Sequence, residues 1–170
     1  TTENKLEFVK LMIEKKLIKE NLETLEYLVN GFRDVINFNF ITLFSSKNIQ
    51  EIINGVEIID VEDLKKNTIC DKKYEKEFND FFEIISKWPQ EKLQKLLMFA
   101  TGSSTIPFGG FKNLENNGGL FTLYFCKNDT MALPTSHTCF NKIEMPCYPS
   151  KKTLDDKLSL AIECDTFGFS

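Results

Sequence analysis

The sequence predicts an α+β fold in which an N-terminal segment of three helices precedes a small α/β unit with a short, mostly antiparallel sheet flanked by helices. Two observations support this prediction. Apolar residues recur at helical spacing through the first third of the chain and again through residues 78–100. From Gly102 onward, glycine-rich turns separate short runs of β-forming residues, a pattern typical of strands.

Three helices are predicted within residues 1–53. Their apolar faces hold Leu6, Val9, Ile13 and Leu17 in the first, Leu25, Val29, Phe32 and Ile36 in the second, and Ile49, Ile52 and Ile53 in the third. Asn21 is a suitable N-cap for the second helix. Asn54 and Gly55 tolerate positive φ and should end the third helix, so the main boundary of the chain is predicted there.

The remainder, residues 58–170, is predicted to mix helices and strands. A short acidic helix is expected near residues 60–66, and strands are expected at residues 120–126 and 140–145. The apolar faces of three longer helices hold Phe78, Phe81, Phe82 and Ile85, then Leu93, Leu96, Leu97 and Ala100, and finally Leu154, Leu158 and Ala161. Phe78, Phe81 and Phe82 are interpreted as core and not as a binding patch.

Charge and hydropathy argue against nucleic-acid and membrane partners. The formal net charge is -4, and Arg33 is the only arginine among 21 basic residues. Because arginine supplies most bidentate contacts to phosphates and bases, nucleic acid is a poor candidate partner. No run approaches the roughly 20 apolar residues needed to cross a bilayer, so no membrane span is predicted.

The cysteines indicate a reducing environment. There are five of them, an odd number, and none forms a CxxC pair: Cys70, Cys126, Cys139, Cys147 and Cys164. This pattern argues against a disulfide framework and against a zinc site, and no metal or cofactor is expected. An intracellular location is expected, in the cytoplasm, with the nucleus as an alternative.

One nine-residue segment points to a specific chemistry. Residues 133–141, Leu-Pro-Thr-Ser-His-Thr-Cys-Phe-Asn, closely resemble the active-site signature of HECT-type ubiquitin ligases. Residues 99–111 are similar to the family's loop upstream of the catalytic cysteine, although Thr105 stands where a basic residue is usual. Phe167, four positions from the C-terminus, matches a phenylalanine found in many members.

The resemblance implies a division of the chain into parts of the family's catalytic domain. Residues 1–53 would be the last helices of the N-lobe, residues 54–57 the interlobe hinge, with Asn54 and Gly55 as its flexible pair, and residues 58–170 the C-lobe. The chain does not begin with Met, and the subdomain that docks the ubiquitin-conjugating enzyme is expected to precede Leu6. The chain alone is therefore expected not to be fully active.

The resemblance also implies a reaction, partners and site residues. Cys139 would accept ubiquitin from a conjugating enzyme as a thioester and pass it to a lysine of a protein substrate. His137, Thr138 and Phe167 would support this chemistry, with no cofactor and no metal. Exchange of one thioester for another costs little free energy, so the protein chiefly has to supply an accessible, partly ionised thiol.

Several roles have two readings. If the loop is extended, His137 and Cys139 project to the same face, and an imidazolium would lower the thiol pKa; alternatively His137 only orders the loop. Phe167 either docks the C-lobe for lysine transfer or packs on the last helix. Cys126 and Cys164 are interpreted as small core residues, with Cys147 as an exposed thiol. Glu163 and Asp165 either help to deprotonate the incoming lysine or are simply solvated.

Two other functions compete with the ligase. A cysteine hydrolase would use Cys139 and His137, the only histidine, as nucleophile and base, but a histidine two residues away is poorly placed for that role. A non-catalytic interaction module would use the helices of residues 6–53 as its surface. The apolar faces of these helices also predict self-association of the chain.

Overall fold

The computed structural model describes residues 4–127 and 129–163, and the contacts within the chain divide it into two compact units. The first unit ends at Ile49 and the second begins at Gln50. Helices and a four-stranded sheet are both present, which confirms the predicted α+β class. The predicted roles of Cys164, Asp165 and Phe167 lie outside the described residues.

The N-terminal part is helical, as predicted. Its helices are α1 (Lys5–Ile13), α2 (Leu22–Val35), α3 (Phe38–Ile41) and α4 (Ser46–Asn54). The four-residue α3 was not predicted. Asn21 does precede α2, but its side-chain amide donates to the Lys16 carbonyl at 2.6 Å instead of capping the helix. Ile36 has an extended backbone just after α2 and was wrongly included in that helix.

The helices α1 and α2 bury none of their residues. Large apolar side chains such as Leu6, Phe8 and Leu17 are exposed to solvent. Amphipathic helices are usually stabilised by packing an apolar face against a neighbour. The described residues of the first unit therefore present apolar surface that a partner would be expected to cover.

The second unit combines helices with short strands. Its helices are α5 (Val61–Lys66), α6 (Glu75–Ile85), α7 (Gln90–Thr101) and α8 (Lys151–Glu163), and its strands are β1 (Thr68–Ile69), β2 (Phe121–Cys126), β3 (Thr135–His137) and β4 (Lys142–Pro146). Asp60 begins α5 by accepting hydrogen bonds from the backbone of Glu62 and Asp63. Gly102 ends α7 with a φ of +77°, a conformation that favours glycine.

The sheet has the order β1-β2-β4-β3, and two of its three pairings are parallel. Only β3 and β4 are antiparallel. The prediction of a mostly antiparallel sheet is therefore wrong. The connection from β2 to β4 contains β3, which runs the other way and takes the outer edge beside β4, so β2 and β4 themselves become parallel. The alternation of apolar and polar residues identifies a strand but does not give its direction.

The core of the second unit lies between the sheet and helices α5–α8. The predicted apolar faces are confirmed as buried at Phe81, Phe82, Ile85, Leu93, Leu96, Leu97, Ala100, Leu154, Leu158 and Ala161, while Phe78 is half-buried against the same core. The sheet contributes Phe121, Leu123, Phe125, Ile143 and Met145. This packing fixes the strand ends from which the candidate site is built.

Candidate functional site

Cys139 lies at the centre of a tight turn between two neighbouring strands. Strand β3 ends at His137, residues 138–140 form one turn of 3₁₀ helix, and β4 begins at Lys142. The Cys139 side chain is exposed, whereas Pro134 at the entrance to β3 is buried. The buried Pro134 and the largely buried strand β4 thus hold the two ends of a short turn, and the turn places the thiol at the surface.

Asn141 holds this turn through hydrogen bonds of its buried side chain. It is 2% exposed, and its side-chain amide donates to the carbonyls of Asn117 at 3.0 Å and Gly119 at 2.7 Å. Its φ is +48°, a left-handed conformation that asparagine tolerates better than most residues. The Asn141 carbonyl accepts from the Thr122 amide of β2 at 2.9 Å. The prediction of site residues missed Asn141, although it is the last residue of the matched segment.

Gly118 allows the turn to approach the preceding loop. Its φ is +103°, and a Cβ at this position would lie 2.6 Å from the Cys139 carbonyl oxygen. Real Cβ atoms do not approach a carbonyl oxygen so closely. Only glycine therefore permits the contact that supports the backbone of Cys139.

The C-terminal end of α7 contacts the same turn. A Cβ built on Gly102 would lie 3.9 Å from the Cβ of Thr138, an ordinary van der Waals separation. Thr138 is half-buried there. Thr138, one of the predicted supporting residues, is thus placed against the helix that backs the turn.

His137 faces a carboxylate on the neighbouring strand. Its Nε2 atom lies 3.7 Å from Glu144 Oε2, and the Lys142 ammonium lies 3.4 Å from the same oxygen. His137 and Lys142 are also paired directly across the antiparallel strands β3 and β4. The condition that the loop runs extended from His137 to Cys139 is not met, because the chain turns at Thr138. These contacts favour the reading in which His137 orders the loop.

The other described cysteines differ from Cys139 in their exposure. Cys70, Cys126 and Cys147 are half-buried. Burial raises the pKa of the Cys70 thiol, with a further contribution from Asp71, and burial also raises the pKa of the Cys147 thiol. The prediction that Cys147 is exposed is wrong, because it packs against the core. Among the cysteines that the structure describes, Cys139 alone is exposed.

Comparison with known proteins places this fold and turn in a family. The sequence model of the HECT-domain (ubiquitin-transferase) family matches residues 1–170. The chain belongs to the HECT-domain family. The resemblance found in residues 133–141 is thereby confirmed at the level of the whole chain.

Curated relatives agree with this assignment. The chain is 38% identical to the protein named probable E3 ubiquitin-protein ligase hulA of Aspergillus fumigatus, and the match covers 99% of this chain and 21% of that protein. It is also 38% identical, with the same coverage, to the E3 ubiquitin-protein ligase RSP5 of Emericella nidulans. The chain spans about a fifth of the length of the curated relatives it matches.

The predicted hinge of this HECT chain has a defined local geometry. Helix α4 ends at Asn54, and Gly55 follows with a φ of +80°. Val56 then forms an isolated antiparallel bridge with Ile106. The division of the chain into lobes and the hinge itself stay predictions.

Within residues 4–127 and 129–163, no three histidine, cysteine or acidic side chains come together as a metal site would require. No helix in the same residues is long and apolar enough to span a bilayer.

Proposed function

We propose that this HECT-domain chain transfers ubiquitin, and that Cys139 carries it as a thioester between a conjugating enzyme and the lysine of a protein substrate. Membership of a ubiquitin-transferase family supports the reaction class. The observation that carries the residue assignment is the exposed Cys139 thiol on a turn whose backbone is held by Asn141 and Gly118.

The proposed reaction consists of two acyl transfers. The Cys139 thiolate attacks the carbonyl carbon of the ubiquitin C-terminus, and the thiolate of the conjugating enzyme leaves. The amine of a substrate lysine then attacks the new thioester, the Cys139 thiolate leaves, and the nitrogen loses a proton as the amide forms. Neither step needs an oxidant, a metal or ATP, so the protein supplies position and exposure.

The surroundings of Cys139 suit acyl transfer better than hydrolysis. A cysteine hydrolase needs a histidine that is held against the sulfur as a base. Here the His137 imidazole lies beside the Glu144 carboxylate on the next strand, which is a structural arrangement at the sheet edge. A thiol attacking an activated thioester needs less help from a base than a serine hydroxyl does.

A ubiquitin probe with a thiol-reactive C-terminus tests the assignment of Cys139. The chain is incubated with the probe, and the adduct is located by mass spectrometry. We expect the wild-type chain and Cys126→Ala to form one adduct at Cys139, and Cys139→Ala to form none. Equal labelling of Cys139→Ala would contradict the assignment and would leave the chain as a non-catalytic interaction module.

A further inference from the structure

The segment that follows α4 is bonded into the second unit from Val56 onward. The Val56 amide donates to the Ile106 carbonyl at 2.8 Å, and the Ile106 amide donates to the Val56 carbonyl at 3.0 Å. This pair of hydrogen bonds is the unit of an antiparallel ladder. Val56 therefore behaves as part of the unit that carries Cys139.

Two glutamines on α7 extend this attachment. The Gln90 side chain accepts from the Ile59 amide at 2.8 Å and donates to the Ile59 carbonyl at 3.0 Å. Gln94, one turn further along α7, donates to the Glu57 carbonyl at 3.1 Å. The spacing of four residues puts both amides on one face of the helix. The backbone from Val56 to Ile59 is thus held at several points.

Thr105 closes the attachment at the end of α4. Its hydroxyl donates to the Asn54 carbonyl at 2.7 Å, and its own backbone is held by the Ser103 hydroxyl at 3.0 Å and 3.2 Å. Gly55 follows Asn54 in this contact. A Cβ at Gly55 would lie 2.6 Å from the Ile106 carbonyl oxygen and 2.7 Å from Thr105 Oγ1. The close approach of Thr105 therefore depends on glycine at position 55.

The same helix connects this attachment to the candidate site. Helix α7 presents Gln90 and Gln94 to the segment of residues 57–59, and its C-terminal end contacts the turn that carries Cys139. Because α7 is a rigid helix of about three turns, the positions of its two ends are fixed relative to each other. The backbone of residues 54–59 is therefore fixed relative to the thiol within the second unit.

We propose that Thr105 and Gln94 are positioning residues for ubiquitin transfer, because they bind residues 54–57 to the catalytic unit and confine its pivot to the backbone that precedes the Asn54 carbonyl. This inference rests on the proposed function of Cys139. Holding residues 54–57 limits the orientations that the thiol samples, and a longer free linker would lower the fraction of productive encounters. The hydrogen bonds of Thr105 and Gln94 go to backbone carbonyls of residues 54 and 57 and not to the turn, so these residues act through the backbone.

Two substitutions at Thr105 distinguish the effect of its hydroxyl group from the effect of its side-chain volume. Thr105→Val keeps the shape and removes the hydrogen bond to Asn54, whereas Thr105→Ser keeps the hydroxyl. Thr42→Val is the matched control, since the Thr42 hydroxyl also donates to a backbone carbonyl, that of Asn39 at 2.9 Å. Gln94→Ala is a second, independent variant. All are made in the complete HECT catalytic domain that contains this chain.

The readouts are single-turnover loading of Cys139 from a charged conjugating enzyme, alkylation of Cys139 by iodoacetamide, and the melting temperature. We expect Thr105→Val and Gln94→Ala to slow loading about fivefold, the effect of one neutral hydrogen bond, with alkylation unchanged and the melting temperature lowered no more than in Thr42→Val. Thr105→Ser and Thr42→Val should load at the wild-type rate.

Two results would overturn the positioning role, and a third would refute the proposed function of Cys139 on which it rests. Wild-type loading by Thr105→Val and Gln94→Ala would remove the positioning role. A fall in loading together with a melting temperature well below that of Thr42→Val would make these residues structural. Loading that persists in Cys139→Ala would instead refute the proposed function, so the two failures are distinguishable.

Discussion

Asn141 holds its left-handed conformation directly after the turn that presents Cys139, and its amide is buried. A motif match identifies the cysteine, but it does not show how the turn is supported. The support comes from Asn117 and Gly119, which are far away in the sequence and lie in a loop whose conformation depends on Gly118. Contacts of this kind arise only when the sheet is assembled, so the sequence could not predict them.

Asn141→Ala should destabilise the second unit by about 3 kcal/mol. The change leaves the carbonyls of Asn117 and Gly119 without their donor and places alanine at a φ of +48°. Asn113→Ala, which loses one bond to the Phe108 carbonyl at 2.7 Å, is the control and should cost about 1 kcal/mol. Chemical denaturation measures both, and equal costs would contradict the role of Asn141.

Cys139 should be alkylated faster than Cys70 and Cys147 near neutral pH. Burial raises the pKa of the latter two thiols, so their reactive thiolate forms at higher pH than it does for an ordinary cysteine. Raising the pH from about 7 to about 9 should therefore increase the alkylation rates of Cys70 and Cys147 and bring them closer to that of Cys139. Mass spectrometry after limited iodoacetamide treatment measures these rates. Modification of Cys70 and Cys147 with Cys139 untouched would count against an accessible catalytic thiol.

At the scale of elements, length and periodicity decided what could be predicted. The long amphipathic helices α6, α7 and α8 carry a clear period and were predicted with their buried faces. Strands β1 and β3 have two and three residues, too few to show alternation, and both were missed. The direction of β4 relative to β2 depends on where β3 lies, which is tertiary information.

Gly55→Ala should open the bridge between Val56 and Ile106. An alanine there would meet the Ile106 carbonyl oxygen at 2.6 Å and would have to adopt a φ of +80°. Hydrogen exchange at the Val56 and Ile106 amides should quicken at least about tenfold, the effect of about 1.4 kcal/mol of strain. Retained protection of both amides would show that the bridge does not need glycine.

Gly31→Ala is the control for the Gly55→Ala experiment, because it adds a Cβ where no strain is expected. Gly31 lies inside α2, without a positive φ and with nothing within 4 Å of an added Cβ. Alanine in a helix interior is favoured over glycine by about 1 kcal/mol, so this variant should be as stable as the wild type or more so. The protection of Val56 should not change in it.

At the scale of the whole molecule, the exposed apolar side chains of the first unit predict self-association of the isolated chain. Sedimentation velocity should show a larger species that grows with concentration, because burying such surface is favourable. Replacing Phe8 and Leu17, which are both 63% exposed, with serine should weaken this association. The same change at Ile69, 52% exposed on β1, is the control. A strictly monomeric wild-type chain would refute the prediction.

The most direct test of ubiquitin transfer by this HECT chain is the capture of its intermediate. The complete catalytic domain is mixed with a conjugating enzyme charged with ubiquitin, the reaction is stopped without reductant, and the adduct is mapped by mass spectrometry. We predict one ubiquitin on Cys139, released by thiol reductants in the wild type and retained as an ester by Cys139→Ser. Absence of an adduct at Cys139, while ubiquitin still reaches lysine, would contradict the proposal.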